Sequence, residues 1–502
     1  MISFDVFDTA LLRNVYLPTD IFKLIEEQVG NDFYNKRIEA EKKAREKKIY
    51  YSLDDIYKFL PEFDKELEIQ TEIDNCKANP KILSLYSPTN CVFISDMYLP
   101  NKVIAQMLEK CGYKDPKVFV SWEWKAIKGD GSLFKKVQKV LDVKIEKHYG
   151  DNYEADIEGA KRAKIPNVEF SPALHNIKMN IPIIKDVKLK KYVAEFLYSK
   201  EIDAIDKIPM FTVPLIVGFT KWVLEQREPG QKIFFLSRDM IVPYKIATNL
   251  LNAEDVYYLH ASRRSLSAAC LNSKDKKLLD KMELILTPKE LKNKKKEGTE
   301  EIIKYLSQFN MKDGDLIVDI GYSGTIQAAI EAALGIKLKG LYMQTFPDML
   351  LNIEAEEYLQ RRVIQSCLMV EVPLGSDEDC VEGYKNGKVI FKPEHVERKV
   401  LAKRMTDVLF KEAKKLIEWN LNVFDVEQVL IHLQYYPNDE ILEVFNRPIF
   451  SNREIGESVI NFDKEKILKG KLRECCLRSY SYKLFKQMLE ADPELSHLSK
   501  LV

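Results

Sequence analysis

Ile2-Ser3-Phe4-Asp5-Val6-Phe7-Asp8-Thr9 decides how the chain is read: a short apolar run over residues 2 to 4 closes on the carboxylate of Asp5. A run too short for a helix, ended by a polar turn, reads as a buried strand delivering Asp5 to its C-terminal end. The pattern recurs as Cys91-Val92-Phe93-Ile94 running into Ser95-Asp96, and as Val118-Phe119-Val120. The turn Gly150-Asp151-Asn152 then leads into a helix expected over Asp156 to Lys164. Strands alternating with helix-like segments predict an α/β fold with a parallel sheet, whose sites gather at the C-terminal edge of the strands.

From Pro18 to about Leu85 the sequence is helical and highly charged, as in Arg37-Ile38-Glu39-Ala40-Glu41-Lys42-Lys43-Ala44-Arg45, and that run reads as a solvated helix face. Beyond a charged connector the alternation restarts: strands at Lys232–Leu236, Val256–Leu259, Leu316–Val318 and Gly340–Met343, with helices at Ile241–Leu251 and Ile326–Leu334. Around Lys292 to Gly298 a Lys-rich loop interrupts surface helices, and after about Arg398 apolar residues keep helical spacing with almost no glycine. The expected organisation is a first α/β domain over 1–175 with a helical insertion at about 16–85, a connector at 176–206, a second α/β domain over 207–395 and a helical region over 396–502.

The chain has 502 residues, long enough for about three folded units. Lys+Arg and Asp+Glu both total 77, so no net charge favours nucleic acid or an anionic membrane as the main partner. Hydrophobic residues at 46% suit a packed globular chain. Eight scattered cysteines with no CxxC pair fit a reducing compartment, and the opening Met-Ile-Ser-Phe-Asp lacks the look of a signal peptide. The longest apolar stretch, around Met210 to Phe219, is about half a bilayer crossing, so no transmembrane segment is expected. A cytoplasmic location follows, with a peripheral visit to the inner membrane face left open.

Four motifs carry chemistry in the first domain: Asp5; Ser95 in Phe93-Ile94-Ser95-Asp96; Lys128 in Lys128-Gly129-Asp130-Gly131-Ser132; and Asp151 with Asp156 in Gly150-Asp151-Asn152-Tyr153-Glu154-Ala155-Asp156. Together they offer a carboxylate nucleophile, a hydroxyl and an ammonium for phosphoryl oxygens, and carboxylates for a divalent cation. Their plain alternative is a set of caps and surface acids. In this order they resemble the haloacid dehalogenase-like phosphohydrolase superfamily over roughly residues 1–172. The resemblance implies a Rossmannoid sheet with a helical cap that excludes water. It further implies Asp5 as the nucleophile, Ser95 and Lys128 on the phosphoryl group, and Mg²⁺ held by Asp5, the Phe7 carbonyl and Asp151, supported by Asp156. The family usually carries a second Asp two residues after the nucleophile as acid/base; here that position is Phe7, and Asp8 would have to be re-aimed to replace it. A phosphatase with a displaced acid, a slow or different hydrolase, and a phosphate-binding domain without turnover all remain open.

The second domain places three polar turns after strands: Ser237-Arg238-Asp239, Ser262-Arg263-Arg264, and Asp319-Ile320-Gly321-Tyr322-Ser323-Gly324-Thr325 at the start of a helix. The last offers backbone N–H groups to a phosphate, or is a plain helix N-terminus. Arg263-Arg264 alone reads equally as a surface pair and Arg238-Asp239 as an internal salt bridge. In sequence the three turns are similar to the type I phosphoribosyltransferase fold over roughly 207–345. That resemblance implies Ser237, Arg238, Asp239, Arg263 and Arg264 around pyrophosphate, and Asp319, Gly321, Ser323, Gly324 and Thr325 around ribose 5-phosphate. The pairing of both domains resembles bacterial capsule and O-antigen proteins that transfer ribofuranose from phosphoribosyl pyrophosphate to a glycan or lipid-linked glycan acceptor and then remove the 5-phosphate. A phosphatase acting on other sugar phosphates or nucleotides with a substrate-recognition domain, and a non-catalytic phosphate-binding scaffold, are the competing expectations.

Overall fold

Ile2–Phe4 (β1) sits at the centre of a five-stranded, all-parallel sheet, between the apolar strand Cys91–Ser95 and the strand Lys147–Gly150, whose Tyr149 packs on Phe4. With Leu11–Arg13 as β2, Cys76–Ala78 as β3, Cys91–Ser95 as β4, Val118–Val120 as β5, Lys147–Gly150 as β6 and Asn167–Phe170 as β7, the sheet order is β5-β4-β1-β6-β7. Ile2, Ser3 and Phe4 face Cys91, Val92 and Phe93 on one side and Lys147, His148 and Tyr149 on the other. Phe4, Phe93 and Tyr149 pack as an aromatic layer with ring centroids 5.1 and 5.9 Å from Phe4. The strand order reverses direction between β1 and β6, the crevice where doubly wound sheets admit ligands.

The described residues are 1–171, 173, 183–294, 298–346, 351–361, 363–364, 368–435, 440–441, 444, 464–470, 472 and 482–501 of this computed structural model. They form two units, Met1–Glu195 and Phe196–Val502. In the first, β2 and β3 pair antiparallel and bracket the helices Asp20–Val29, Phe33–Lys47, Leu53–Tyr57 and Lys65–Asp74. The charged helix Phe33–Lys47 departs from the expected solvated face at Arg37. That guanidinium is fully buried, donating to Glu68 at 2.6 and 2.8 Å between the rings of Phe22 and Tyr98. Instead of an α-helix from Asp156, a π-turn runs over Tyr153–Glu158, followed by a short helix, Gly159–Arg162.

The second unit holds another all-parallel sheet. Ile233–Leu236 (β8), Val256–Leu259 (β9), Leu316–Tyr322 (β10), Lys339–Thr345 (β11) and Glu354–Glu357 (β12) are ordered β12-β11-β10-β8-β9. The order reverses between β8 and β10. β10 pairs with β8 only over Leu316–Val318 but stays on β11 as far as Tyr322, so Asp319 lies inside the strand, just past its pairing with β8, not at the strand's end. A hairpin of Cys380–Lys385 (β13) and Lys388–Lys392 (β14) completes the strands.

Two expectations need revision. Part of the expected connector is ordered: residues 187–198 form a helix and Ala204–Glu225 another, while residues 174–182 lie outside the described residues. Met210 to Phe219 belongs to that second helix, which at 22 residues has the length and apolarity of a bilayer span; 78% of its most apolar window is buried inside the fold, where it packs on the helices Val396–Leu416 and Val423–Tyr435. Helices Lys464–Leu468 and Tyr482–Ala491 follow. Of the Lys-rich loop, Lys292–Lys294 end a helix and residues 295–297 lie outside the described residues. Cys76, Cys91, Cys111, Cys270 and Cys380 are free thiols; Cys367, Cys475 and Cys476 lie outside the described residues.

Candidate functional site

At the crevice of the first sheet, β1 carries Asp5 and β6 carries Asp151 just beyond their last residues, side by side, and Asp5 N donates to Tyr149 O at 2.8 Å. Lys128 arrives from the turn before the helix Ser132–Leu141, fixed by its own backbone: Lys128 N donates to both oxygens of Asp96, at 3.0 and 3.1 Å. Its Nζ lies between Asp5 Oδ1 and Asp156 Oδ1, the latter at 2.6 Å. Carboxylate oxygens of Asp5, Asp151 and Asp156 all come within 4.8 Å of one another. Two glycines permit this density. A Cβ at Gly150 would sit 2.2 Å from Asp156 Cγ, and one at Gly159 would sit 2.1 Å from Lys128 O.

Three carboxyls therefore face one ammonium in a buried pocket, and the four groups do not share charge evenly. Asp156 is the best served of the three: Oδ1 accepts from Lys128 and His148, and Oδ2 accepts from the backbone N–H of Asp151 and Asn152 at 3.1 and 2.9 Å. Desolvation opposes its charge, but Lys128 and His148 hold its carboxyl below the ordinary range. Asp5 and Asp151 take the surplus. Desolvation pushes Asp5 well above the usual range despite Lys128, and pushes Asp151 up to about 6, with Asp156 adding to both. Lys128 is held above the usual range by Asp156 and Asp5 in spite of its own desolvation. Oxygen-only ligands with excess negative charge form a natural seat for a hard divalent cation.

Ser95 ends β4, buried, in the strand adjacent to β1. Phe7 and Asp8 turn toward Arg13 on β2: its guanidinium lies 4.2 Å from the Phe7 ring centroid and 3.6 Å from Asp8 Oδ2, and it also grips buried Glu72 at 3.2 and 3.4 Å. Asp8, in the left-handed region at φ 58°, is thus an ion-pair partner of Arg13. Asp96, His148 and Arg13 are the site residues that motif reading missed. Asp96 stood inside a quoted motif, whereas Arg13 and His148 carry no local signal.

In the second unit the candidate residues separate. Ser237 Oγ is engaged with the backbone of Ala261, accepting from its N at 3.2 Å. Arg238 pairs with Glu394 at 3.0 Å, and Cys380 Sγ donates to the same carboxylate. Arg264 turns to Glu290 and leaves exposed Arg263, which faces Asp239 and Asp319 electrostatically. Desolvation and then Asp239 push Asp319 up to about 8. Gly321 is pressed against β11, where a Cβ would lie 1.9 Å from Gln344 O, and Gly324 at φ 68° abuts Ile353. Ser323 Oγ and Thr325 Oγ1 are 3.0 Å apart at the start of the helix Thr325–Leu334. His260 faces Glu378 at 3.5 Å. Asp239, Arg263 and Asp319 thus share the sheet's crevice; Ser237 and Arg264 are spent on structural partners. Compared with protein-family models the chain matches none, and no curated protein matches it either.

Proposed function

We propose that the first unit is a Mg²⁺-dependent phosphatase of the haloacid dehalogenase-like type. The reading rests on one observation: a buried carboxylate, Asp5, shares the ammonium of Lys128 with Asp156 at the strand-order reversal of a parallel sheet. Asp5, Asp151 and Asp156 fit Mg²⁺ by donor type, and the ion would neutralise phosphoryl charge there. Asp5 attacks phosphorus as its bond to the leaving oxygen breaks, giving an aspartyl-phosphate that water then opens. Lys128 and Ser95 hold the transferring oxygens, and the helical insertion shields the pocket. Because Phe7 carries no acid and Asp8 is paired with Arg13, aryl phosphates are expected to turn over faster than the alkyl 5-phosphate of a sugar, whose leaving oxygen needs a proton.

The second unit, in the same proposal, is phosphoribosyltransferase-like and moves a 5-phosphoribosyl group from phosphoribosyl pyrophosphate to a glycan or lipid-linked acceptor, with the 5-phosphate then removed by the first. Supporting this are Asp239, Arg263 and Asp319 at the crevice beside the Ser323–Thr325 helix start. Phosphorus NMR with Mg²⁺, donor and glycan-containing extract tests both halves. Pyrophosphate release that needs acceptor and vanishes in Asp319→Ala, with a sugar monophosphate accumulating in Asp5→Asn, is the expected result. Phosphate release from simple esters with the donor untouched would remove the transferase half.

A further inference from the structure

His148 sits two residues before Gly150 on β6, in cross-strand register with Ser3 on β1. Both are fully buried, and Ser3 Oγ lies 2.8 Å from His148 Nδ1. The other ring nitrogen, Nε2, lies 3.1 Å from Asp156 Oδ1, the same oxygen that receives Lys128 Nζ. Phe134 stands edge-on to the imidazole at 4.8 Å, 77° between planes. A continuous line of contacts thus runs Ser3, His148, Asp156, Lys128, Asp5.

The direction of this line follows from donor counting. Asp156 accepts an ammonium and two backbone N–H groups, so it is a carboxylate and only accepts. Nε2 must therefore carry a hydrogen. A neutral ring then has a bare Nδ1, which accepts, and the Ser3 hydroxyl is the group that donates to it. A neutral donor has a consequence a cation would not: it satisfies and aims Oδ1 without adding charge to the phosphoryl pocket. It also limits how strongly Asp156 draws the ammonium of Lys128, which must remain within reach of Asp5.

We propose that Ser3 and His148 form a positioning pair that fixes the imidazole as its Nε2–H tautomer and, through Asp156, sets Lys128 between Asp156 and Asp5. The pair touches no substrate, and the proposal rests on the aspartyl-phosphate reading above for its effect on rate. Removing the donor leaves Lys128 as the sole side-chain partner of Oδ1, and the ammonium shifts toward Asp156. Partners that orient a site's charged ligands are typically worth about 10- to 100-fold in activity.

Two readouts on the full-length protein test this. The first is nitrogen NMR of ¹⁵N-histidine-labelled protein, with the His148 signals identified by their loss in His148→Gln. A single Nε2–H tautomer is expected, and an Nδ1–H tautomer overturns the proposal. The second is turnover of an aryl phosphate with Mg²⁺. His148→Met, similar in size and without a donor, is expected to lose about 10- to 100-fold in kcat, while His148→Gln, whose amide N–H reaches the Nε2 position, regains most of it. Equal rates for the two variants at equal thermal stability overturn the proposal. Should wild type release no phosphate, the aspartyl-phosphate reading falls, and the tautomer alone decides the pair: Nε2–H upholds it and Nδ1–H removes it.

Discussion

Asp156 is served by four donors while Asp5 shares the ammonium of Lys128 and Asp151 accepts from Thr9 Oγ1 at 3.5 Å, and this inequality gives each residue of the pocket a different response to substitution. Lys128→Gln removes the ammonium and leaves the buried carboxyls uncompensated. Breaking a buried pair in this way costs about 3–5 kcal/mol, expected as a lower urea midpoint at pH 7. The loss is expected to shrink toward pH 5, because the raised carboxyl of Asp151, near 6, accepts a proton there. The sign follows from linkage: a folded-state carboxyl with a raised pKa binds protons the unfolded chain has released, so stability falls as pH rises through that window. Asp319 obeys the same rule over a wider range, from its ordinary 3.8 to about 8. Asp319→Asn removes the titration, so its melting temperature relative to wild type should rise steadily between about pH 4 and pH 8; a constant difference across that range would contradict the assigned environment.

At the scale of elements, the strands whose apolar runs are bounded by turns were legible: β1, β4, β5, β8 and β9 lie where the sequence places them to within a residue. Asp5 and Asp151 each follow a strand whose end the sequence marks and Lys128 precedes a marked helix start, while Asp156 was picked out by its motif although it lies inside Tyr153–Glu158 instead of opening a helix; the fold brings the four together. What stayed hidden depends on partners distant in sequence. Arg37 reads as one more surface charge until Glu68, 31 residues on, meets it in the interior. Asp8 is aimed by Arg13, which lies on a three-residue strand with no periodicity to detect. Arg263 and Arg264 read as one basic pair, yet Glu290 draws Arg264 away. The junction of the π-turn and the helix Gly159–Arg162 is the element on which the pocket turns, because Lys128 O occupies the place of a Cβ at Gly159. Gly159→Ala is accordingly expected to displace the Lys128 turn and lower phosphate release about 10-fold or more, in line with the sensitivity of reactive geometry to shifts near 1 Å. Gly129→Ala, in the same turn and with nothing within 4 Å of an added Cβ, serves as the control; an equal effect of both on phosphate release would refute the packing argument.

Across the whole molecule the chain resolves into two units, each with its own parallel sheet and its own strand-order reversal, and each reversal gathers acidic side chains with raised pKa values. The two reversals differ in what compensates the acids. Lys128 sits directly between carboxylates in the first, whereas in the second Arg238 forms its ion pair with Glu394, the charges of Arg238, Arg398 and Arg263 together act on Asp239, and Arg263 acts on Asp319. A divalent cation should therefore act on the first unit, whose three carboxylates already converge. Binding to the folded state alone stabilises by RT ln(1 + [L]/Kd), about 2.7 kcal/mol at a hundredfold excess over Kd. Scanning calorimetry of the full chain is expected to show two transitions, with Mg²⁺ raising one and leaving the other in place. Asp5→Asn should abolish the Mg²⁺ shift of that transition, and Asp319→Asn at pH 8 should move only the other. A single transition, or a Mg²⁺ shift that survives Asp5→Asn, would show that the two sites are not carried by separately melting units in the way their sheets are built.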